Sequence, residues 1–195
     1  MGMNNSGQSA SDDYSSALWA WQRNVIPEFK DKTTEEIKAV LKTRQFPFAV
    51  LFENFLHDFN TGTGMRNANA FGASAIYYIG KKRFDKRGLC GVHNYSTIEH
   101  LKSIEELKEK TAGHTLIGVD NIEGAVPIDD FVYPPNPVFV FGTEVGGLTK
   151  EMIAECKTLI YLEQFGSVPS INCGSASAIV MHDFVSKYRR LNGSK

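Results

Sequence analysis

From Phe48 onward the chain alternates short, nearly unbroken apolar runs with stretches of helical spacing. PFAVLFE (47–53), SAIYYIG (74–80), HTLIGVD (114–120), VFVF (138–141) and TLIYL (158–162) are apolar runs of strand length, and each predicts a buried strand. Between the first two, ENFLHDFN (53–60) predicts a loop and GTGMRNANAF (62–71) a helix ended by Gly72. Ser96 is expected to cap a helix carrying Ile98, Leu101, Ile104 and Leu107. The PP and NP steps at 134–137 break the chain before VFVF, and a short amphipathic segment precedes TLIYL. A long helical pattern with Ile179, Phe184, Tyr188 and Leu191 closes the chain. Strands alternating with helices predict an α/β fold with a mainly parallel sheet and flanking helices.

The amino-terminal part is different. Residues 1–14 read as a disordered lead-in, and 15–46 as a helical extension ahead of one domain over 47–195. SSALWAWQRNVIPEF (15–29) predicts a helix that starts at a Ser cap and breaks near Pro27, with Trp19 and Trp21 as packing residues. Thr33 to Lys42 predicts a second helix, with a capping box from Thr33 and Glu36 and one face carrying Ile37, Val40 and Leu41. Whether this extension lies against the domain or extends a binding surface is open at this level.

Composition narrows the class. At 195 residues, 42% hydrophobic and 22% charged, the chain suits one soluble domain with a sizeable core. No run approaches the ~18–20 apolar residues of a membrane span, and the first residues lack the basic-then-apolar order of a secretory signal. Cys90, Cys156 and Cys173 are odd in number and lack metal-ligand spacing, so free thiols in a reducing cytoplasm are expected. The net charge of −1 counts against a nucleic-acid partner unless positive charge is local. KKRFDKR (81–87) is such a cluster, with Phe84 able to stack on a nucleotide or to pack inward. Lys187, Arg189 and Arg190 read as a solvated face.

Two loops stand out as candidate chemistry. GTEVGGL (142–148) and GSVPSINCGS (166–175) each leave an apolar run and are rich in Gly, Ser, Thr and Asn. Such loops let main chain rather than side chains grip a ligand, although ordinary strand-to-helix connections favour the same residues. An earlier segment, NTGTGMRNANAFG (60–72), decides between these readings. Asn60 is followed six residues on by Arg66, then Ala68 and the Phe71–Gly72 close. Phe141, Gly142, Glu144, Gly147 and Leu148 form F-G-x-E-x-x-G-L; Ser170, Ile171, Asn172 and Ser175 form a third motif opening the last helix. In this order the three motifs, spanning roughly 48–190, resemble the SpoU/TrmH family of RNA ribose 2′-O-methyltransferases, of the knotted SPOUT class.

The resemblance implies a deep carboxyl-terminal trefoil knot, which generic rules of chain connectivity would never suggest. It implies S-adenosylmethionine bound in a bent form by backbone near Val119, Gly142, Gly147, Leu162, Ser170 and Ile171. Where the family has Ile-Pro-Met after its strand, this chain has Leu162, Glu163 and Gln164, so the adenine pocket differs in detail. The implied catalytic set is Arg66, Asn60, Glu144, Ser170 and Asn172, with no metal. Arg66 would be either the base for the 2′-hydroxyl or an electrostatic clamp on alkoxide and phosphate; a guanidinium pKa above ~12 favours the clamp. Asn60 would orient Arg66 or the ribose, and Glu144 would fix an arginine or the loop. Ser170 and Asn172 would fasten the last loop by hydrogen bonds, Asn60 and Asn172 also being natural turn or cap residues. His57 is the one histidine placed near these motifs. The implied partners are tRNA or rRNA and a second copy of the chain, in a cytoplasmic setting without a membrane. The rival reading is a knotted RNA- or cofactor-binding protein without catalysis. A Rossmann-type oxidoreductase is weaker, since TGTG (61–64) lacks the glycine spacing of a dinucleotide loop.

Overall fold

A computed structural model of the protein describes residues 24–53, 55–83 and 86–193. Seven strands form one parallel sheet: β1 (Ala49–Glu53), β2 (Ala75–Ile79), β3 (Ile98–Leu101), β4 (Thr115–Val119), β5 (Val126–Pro127), β6 (Pro137–Phe141) and β7 (Thr158–Tyr161). Their order across the sheet is β3-β2-β1-β6-β4-β7-β5. The first three strands step outward in one direction. The chain then returns, with β6 entering between β1 and β4, so its direction of travel reverses at the middle of the sheet. In open parallel sheets, ligands bind beyond the carboxyl ends of strands at such a reversal.

Period-two alternation divides the strands between two cores. Phe48, Val50, Phe52, Phe139 and Phe141 point to one face, where α2 (Asp58–Ala70) and α5 (Cys173–Asn192) cover them with Met65, Ala68, Val180, Met181 and Phe184. Ala49, Leu51, Val138 and Val140 point to the other, under Leu107 of α3 (Ile104–Lys110) and Met152 of α4 (Lys150–Glu155). Each fully buried large apolar side chain stabilises by about 1.5–3 kcal/mol, so the central strands β1 and β6, buried at every position, anchor the sheet. α1 (Thr34–Arg44) has the expected capping box, with Thr33 and Glu36 each bonding the other's backbone, and buries Ile37.

Three sequence expectations are corrected. Residues 98–101 form an edge strand rather than a helix, and the helix begins after Ser103, whose hydroxyl accepts from Glu106 N. A three-residue spacing puts Ile98 and Leu101 on opposite faces of a strand, and they pack in different cores. Helix α2 starts at Asp58, so the segment read as a loop supplies its first turn, Asn60 included. Lys187 is not on a solvated face. It pairs with Asp183 (2.9 Å) and donates to the carbonyls of Ile128 and Asp129, stapling the 128–131 loop to α5. The helix expected over 15–29 lies largely outside the described residues, as do the 1–14 lead-in, Trp19, Trp21 and Phe84. Within the described part, Pro27–Phe29 form only a 3-10 turn. Among the described residues no helix is long and apolar enough to cross a membrane.

Candidate active site

A cleft of about 540 Å³ opens at the carboxyl ends of β4, β6 and β7. Its walls come from Val119 to Asn121, from the 141–147 loop, from Tyr161, Leu162 and Gln164, and from Pro169 to Cys173, with His57 and Asn60 at one side. All six residues expected to hold a cofactor (Val119, Gly142, Gly147, Leu162, Ser170, Ile171) line it.

The 142–147 loop closes on itself. Thr143 N donates to Gly147 O (2.8 Å) and Gly147 N returns a bond to Thr143 O (3.1 Å). A Cβ on Gly142 would stand 2.1 Å from the Gly147 carbonyl carbon, closer than any side chain permits, and Gly147 itself has a φ of +66°. Two carboxylates pin the loop's far end. Asp120 accepts from Leu148 N (2.8 Å), and buried Glu53 accepts from both Thr149 N (3.1 Å) and Thr149 Oγ1. The pinned loop turns main chain towards the cleft.

The three motif segments meet through direct side-chain bonds. Asn60 Nδ2 donates to Glu144 Oε1 (2.9 Å), and Asn172 Nδ2 donates to Asn60 Oδ1 (2.9 Å). Asn172 Oδ1 in turn accepts from Ser175 N (3.1 Å), capping α5. Leu56 N and His57 N, just ahead of α2, also donate to Glu144, at 2.8 and 3.2 Å. Partial burial pushes the Glu144 carboxyl up, but bonds from Asn60, Leu56, its own backbone and His57 pull it further down, so it lies below the ordinary 4.5 and is ionised near neutral pH. Asn67, one turn past Thr63 on the same helix, donates to Gly174 O and Ser177 Oγ and holds α2 against the start of α5.

Arg66 stands apart. It is exposed on α2, does not line the cleft, and forms no ion pair or hydrogen bond among the described residues. Four of the five expected catalytic residues (Asn60, Glu144, Ser170, Asn172) therefore come together within one chain, and the arginine does not join them there. Of the basic stretch 81–87, Lys81 pairs with Asp58 (3.1 Å). Cys156 and Cys173 are free thiols pushed up to about 12 and about 11, chiefly by burial, so neither is a ready nucleophile.

Residues 47–182 match the family model described as SpoU rRNA Methylase. The chain belongs to the SpoU rRNA methylase family. It is 24% identical over 159 residues to a tRNA (guanosine(18)-2′-O)-methyltransferase of Aquifex aeolicus, covering 78% of this chain and 75% of that protein. An enzyme of the same name from Saccharomyces cerevisiae is 30% identical over 78 residues, 40% of this chain and only 5% of that much longer protein. Among solved structures, the Aquifex aeolicus TrmH/SpoU tRNA modifying enzyme superposes with a TM-score of 0.72 at 23% identity, over 82% of this chain and 84% of that one. The SpoU methyltransferase AviRb from Streptomyces viridochromogenes, in complex with AdoMet, gives 0.69 at 22% identity, over 77% and 60%. At these identities the structural likeness establishes the shared fold.

Reading the sequence picked out the motif residues and missed their supports. Glu53 and Asp120 each end or directly follow an apolar strand run, and a lone carboxylate at the carboxyl end of a buried strand was the available signal.

Proposed function

We propose that the protein is an S-adenosylmethionine-dependent methyltransferase that modifies a ribose 2′-hydroxyl of tRNA or rRNA. The observation that carries this reading is the bonded chain Glu144–Asn60–Asn172, which ties the three family motifs to one cleft at the sheet's reversal point. Relatives and fold neighbours support this reading: relatives are named as tRNA 2′-O-methyltransferases, and one neighbour was solved in complex with this cofactor.

The residues present fit that cofactor. The tight turn at Gly142 exposes main chain rather than side chain, Val119, Leu162 and Ile171 offer apolar surface to a flat base, and Asp120 and Glu144 supply negative charge suited to a cationic donor. When bound, the cofactor supplies an electrophilic methyl on a sulfonium. The chain's own work is orientation: Asn60 and Asn172 hold Glu144 and the last loop in register, and Ser170, on the cleft wall, would also touch substrate. A reaction between two held partners can gain about 7–11 kcal/mol from positioning alone.

The proposal extends to a homodimer. Phe59 and Arg66 are seven residues apart on α2 and share its exposed face. Phe59 (75% exposed), Leu56 (56%) and Val145 (84%), on the two segments that Glu144 joins, present apolar surface that a second copy would cover. Docked there, Arg66 reaches the partner's cleft and acts as an electrostatic clamp on the developing alkoxide and its neighbouring phosphate. The same reading includes a carboxyl-terminal knot, with α5 passing back across β6 to pack on α2. Incubating unmodified total tRNA and rRNA with tritiated S-adenosylmethionine tests the activity, followed by mapping of the methylated ribose. Wild type should label RNA and Arg66→Ala should fall by at least about a hundredfold. Equal counts from the two proteins would remove the enzyme reading.

A further inference from the structure

The cleft wall contains an unsatisfied polar atom. Gln164 Oε1 is closed off from solvent and accepts no hydrogen bond among the described residues, where it is the sole buried side-chain atom in that condition. Gln164 lines the cleft three residues beyond the end of β7. A buried acceptor without a donor costs folding about 1–3 kcal/mol, and native structures retain such groups chiefly where a ligand, ion or water completes them. We propose that Gln164 is a specificity-determining residue that reads the adenine of the bound cofactor, its side-chain carbonyl accepting a hydrogen bond from the exocyclic N6 amino group. This inference rests on the cofactor reading above.

Chemistry selects that donor from those the cofactor carries. The charged ammonium is drawn to a carboxylate, and Asp120 and Glu144 are the carboxylates of this cleft. Ribose hydroxyls accept as well as donate, whereas the adenine amine only donates and sits at the rim of a flat apolar ring. Gln164 offers a neutral acceptor, shielded from water, beside Leu162 and in the same cleft as apolar Val119 and Ile171. That surrounding suits a flat apolar ring with one neutral donor at its rim. A side-chain amide at 164 adds discrimination at the six position, because its acceptor stays unpaired when the amine is missing.

Calorimetric titration of the full chain with two ligands tests this: S-adenosylhomocysteine, and its analogue with hydrogen in place of the amino group. Wild type should prefer the amino compound by about tenfold, the upper range for one neutral hydrogen bond. Gln164→Leu should bring the two affinities to within about threefold by weakening only the amino compound, while Gln164→Glu, which keeps an acceptor, should retain the preference. The unliganded Gln164→Leu protein should unfold at a temperature equal to or above wild type, since it loses an unpaired buried group. An unchanged preference in Gln164→Leu, or equal weakening of both ligands, overturns the role of Gln164 and leaves the cofactor reading intact. Failure of wild type to bind either ligand overturns both.

Discussion

Glu144 gathers more structure than any other side chain of the cleft. Its two oxygens accept from Asn60 Nδ2, Leu56 N and His57 N, so one carboxylate joins the 142–147 loop to the start of α2. Glu144→Gln must turn an NH2 towards at least one of these donors. It should destabilise by about 1–3 kcal/mol in chemical denaturation, the range for losing bonds to a charged group. The pH dependence has a definite sign. Because the folded pKa lies below the ordinary 4.5, the carboxylate's contribution is complete above the unfolded value and disappears as pH falls through the depressed one. Wild type and Glu144→Gln should therefore converge in stability as pH drops below about 4.5. Asn172 separates two roles. Asn172→Asp keeps an acceptor for Ser175 N and so keeps the cap, but it sets a second acceptor against Asn60 Oδ1. Flipping the Asn60 amide only moves that conflict to Glu144. Asn172→Ala should cost about 1 kcal/mol of stability through the lost cap, whereas Asn172→Asp should hold thermal stability better and still lose methyl transfer. At this scale the motif residues were legible because their types and order are unusual. Glu53 and Asp120 were not, because a single acidic residue after a strand is also what any solvated loop carries.

Among elements, five of the seven strands were readable; the edge strands β3 and β5 and the boundaries of two helices were not. Gly62 and Gly64 each cost a helix interior about 1 kcal/mol, yet both lie inside α2, whose first turn comes from the end of the stretch expected to be loop (53–60). Tertiary packing reverses that preference. A Cβ on Gly62 would lie 2.7 Å from the Gly88 backbone, and one on Gly64 2.6 Å from the Phe52 ring, so α2 can approach its neighbours only with these glycines. Edge strand β3 was hidden for another reason: with one neighbour it needs few apolar residues, and Ile98 and Leu101, three apart, share a face only as a helix, whereas in the strand they serve opposite cores. The glycines of the cleft give a test at this scale. Gly142→Ala forces a methyl into the Gly147 carbonyl and should destabilise by at least about 1–3 kcal/mol, as overpacking does, with loss of S-adenosylhomocysteine binding. Gly166→Ala, with nothing within 4 Å of its added Cβ, should leave the melting temperature unchanged. Equal effects would mean that the 142–147 loop is softer than its hydrogen bonds indicate.

For the whole molecule, alternation of apolar runs and helices was enough to give a parallel α/β sheet, but not the order of its strands. Strand order depends on which long connections cross which face, and nothing in a local pattern encodes that. The same limit applies to assembly. Arg66 is legible as a motif residue, yet its absence from the lining of its own chain's cleft appears only once α2 is folded. Mixing two inactive proteins decides where it works. Arg66→Ala keeps a sound cleft, and Ser170→Trp, an exposed position at the cleft wall, blocks the cleft while keeping Arg66. If Arg66 serves the partner's cleft in a twofold dimer, a mixed pair has one working site: the sound cleft of the first chain with the arginine of the second. If Arg66 serves its own cleft, a mixed pair has none. Random exchange of equal amounts makes about half the dimers mixed, so methyl transfer should recover to about a quarter of the wild-type rate per chain. Recovery should require prior subunit exchange by mild denaturation and refolding, because stable dimers combined without it stay unmixed. No recovery after verified exchange would mean that the arginine acts within its own subunit.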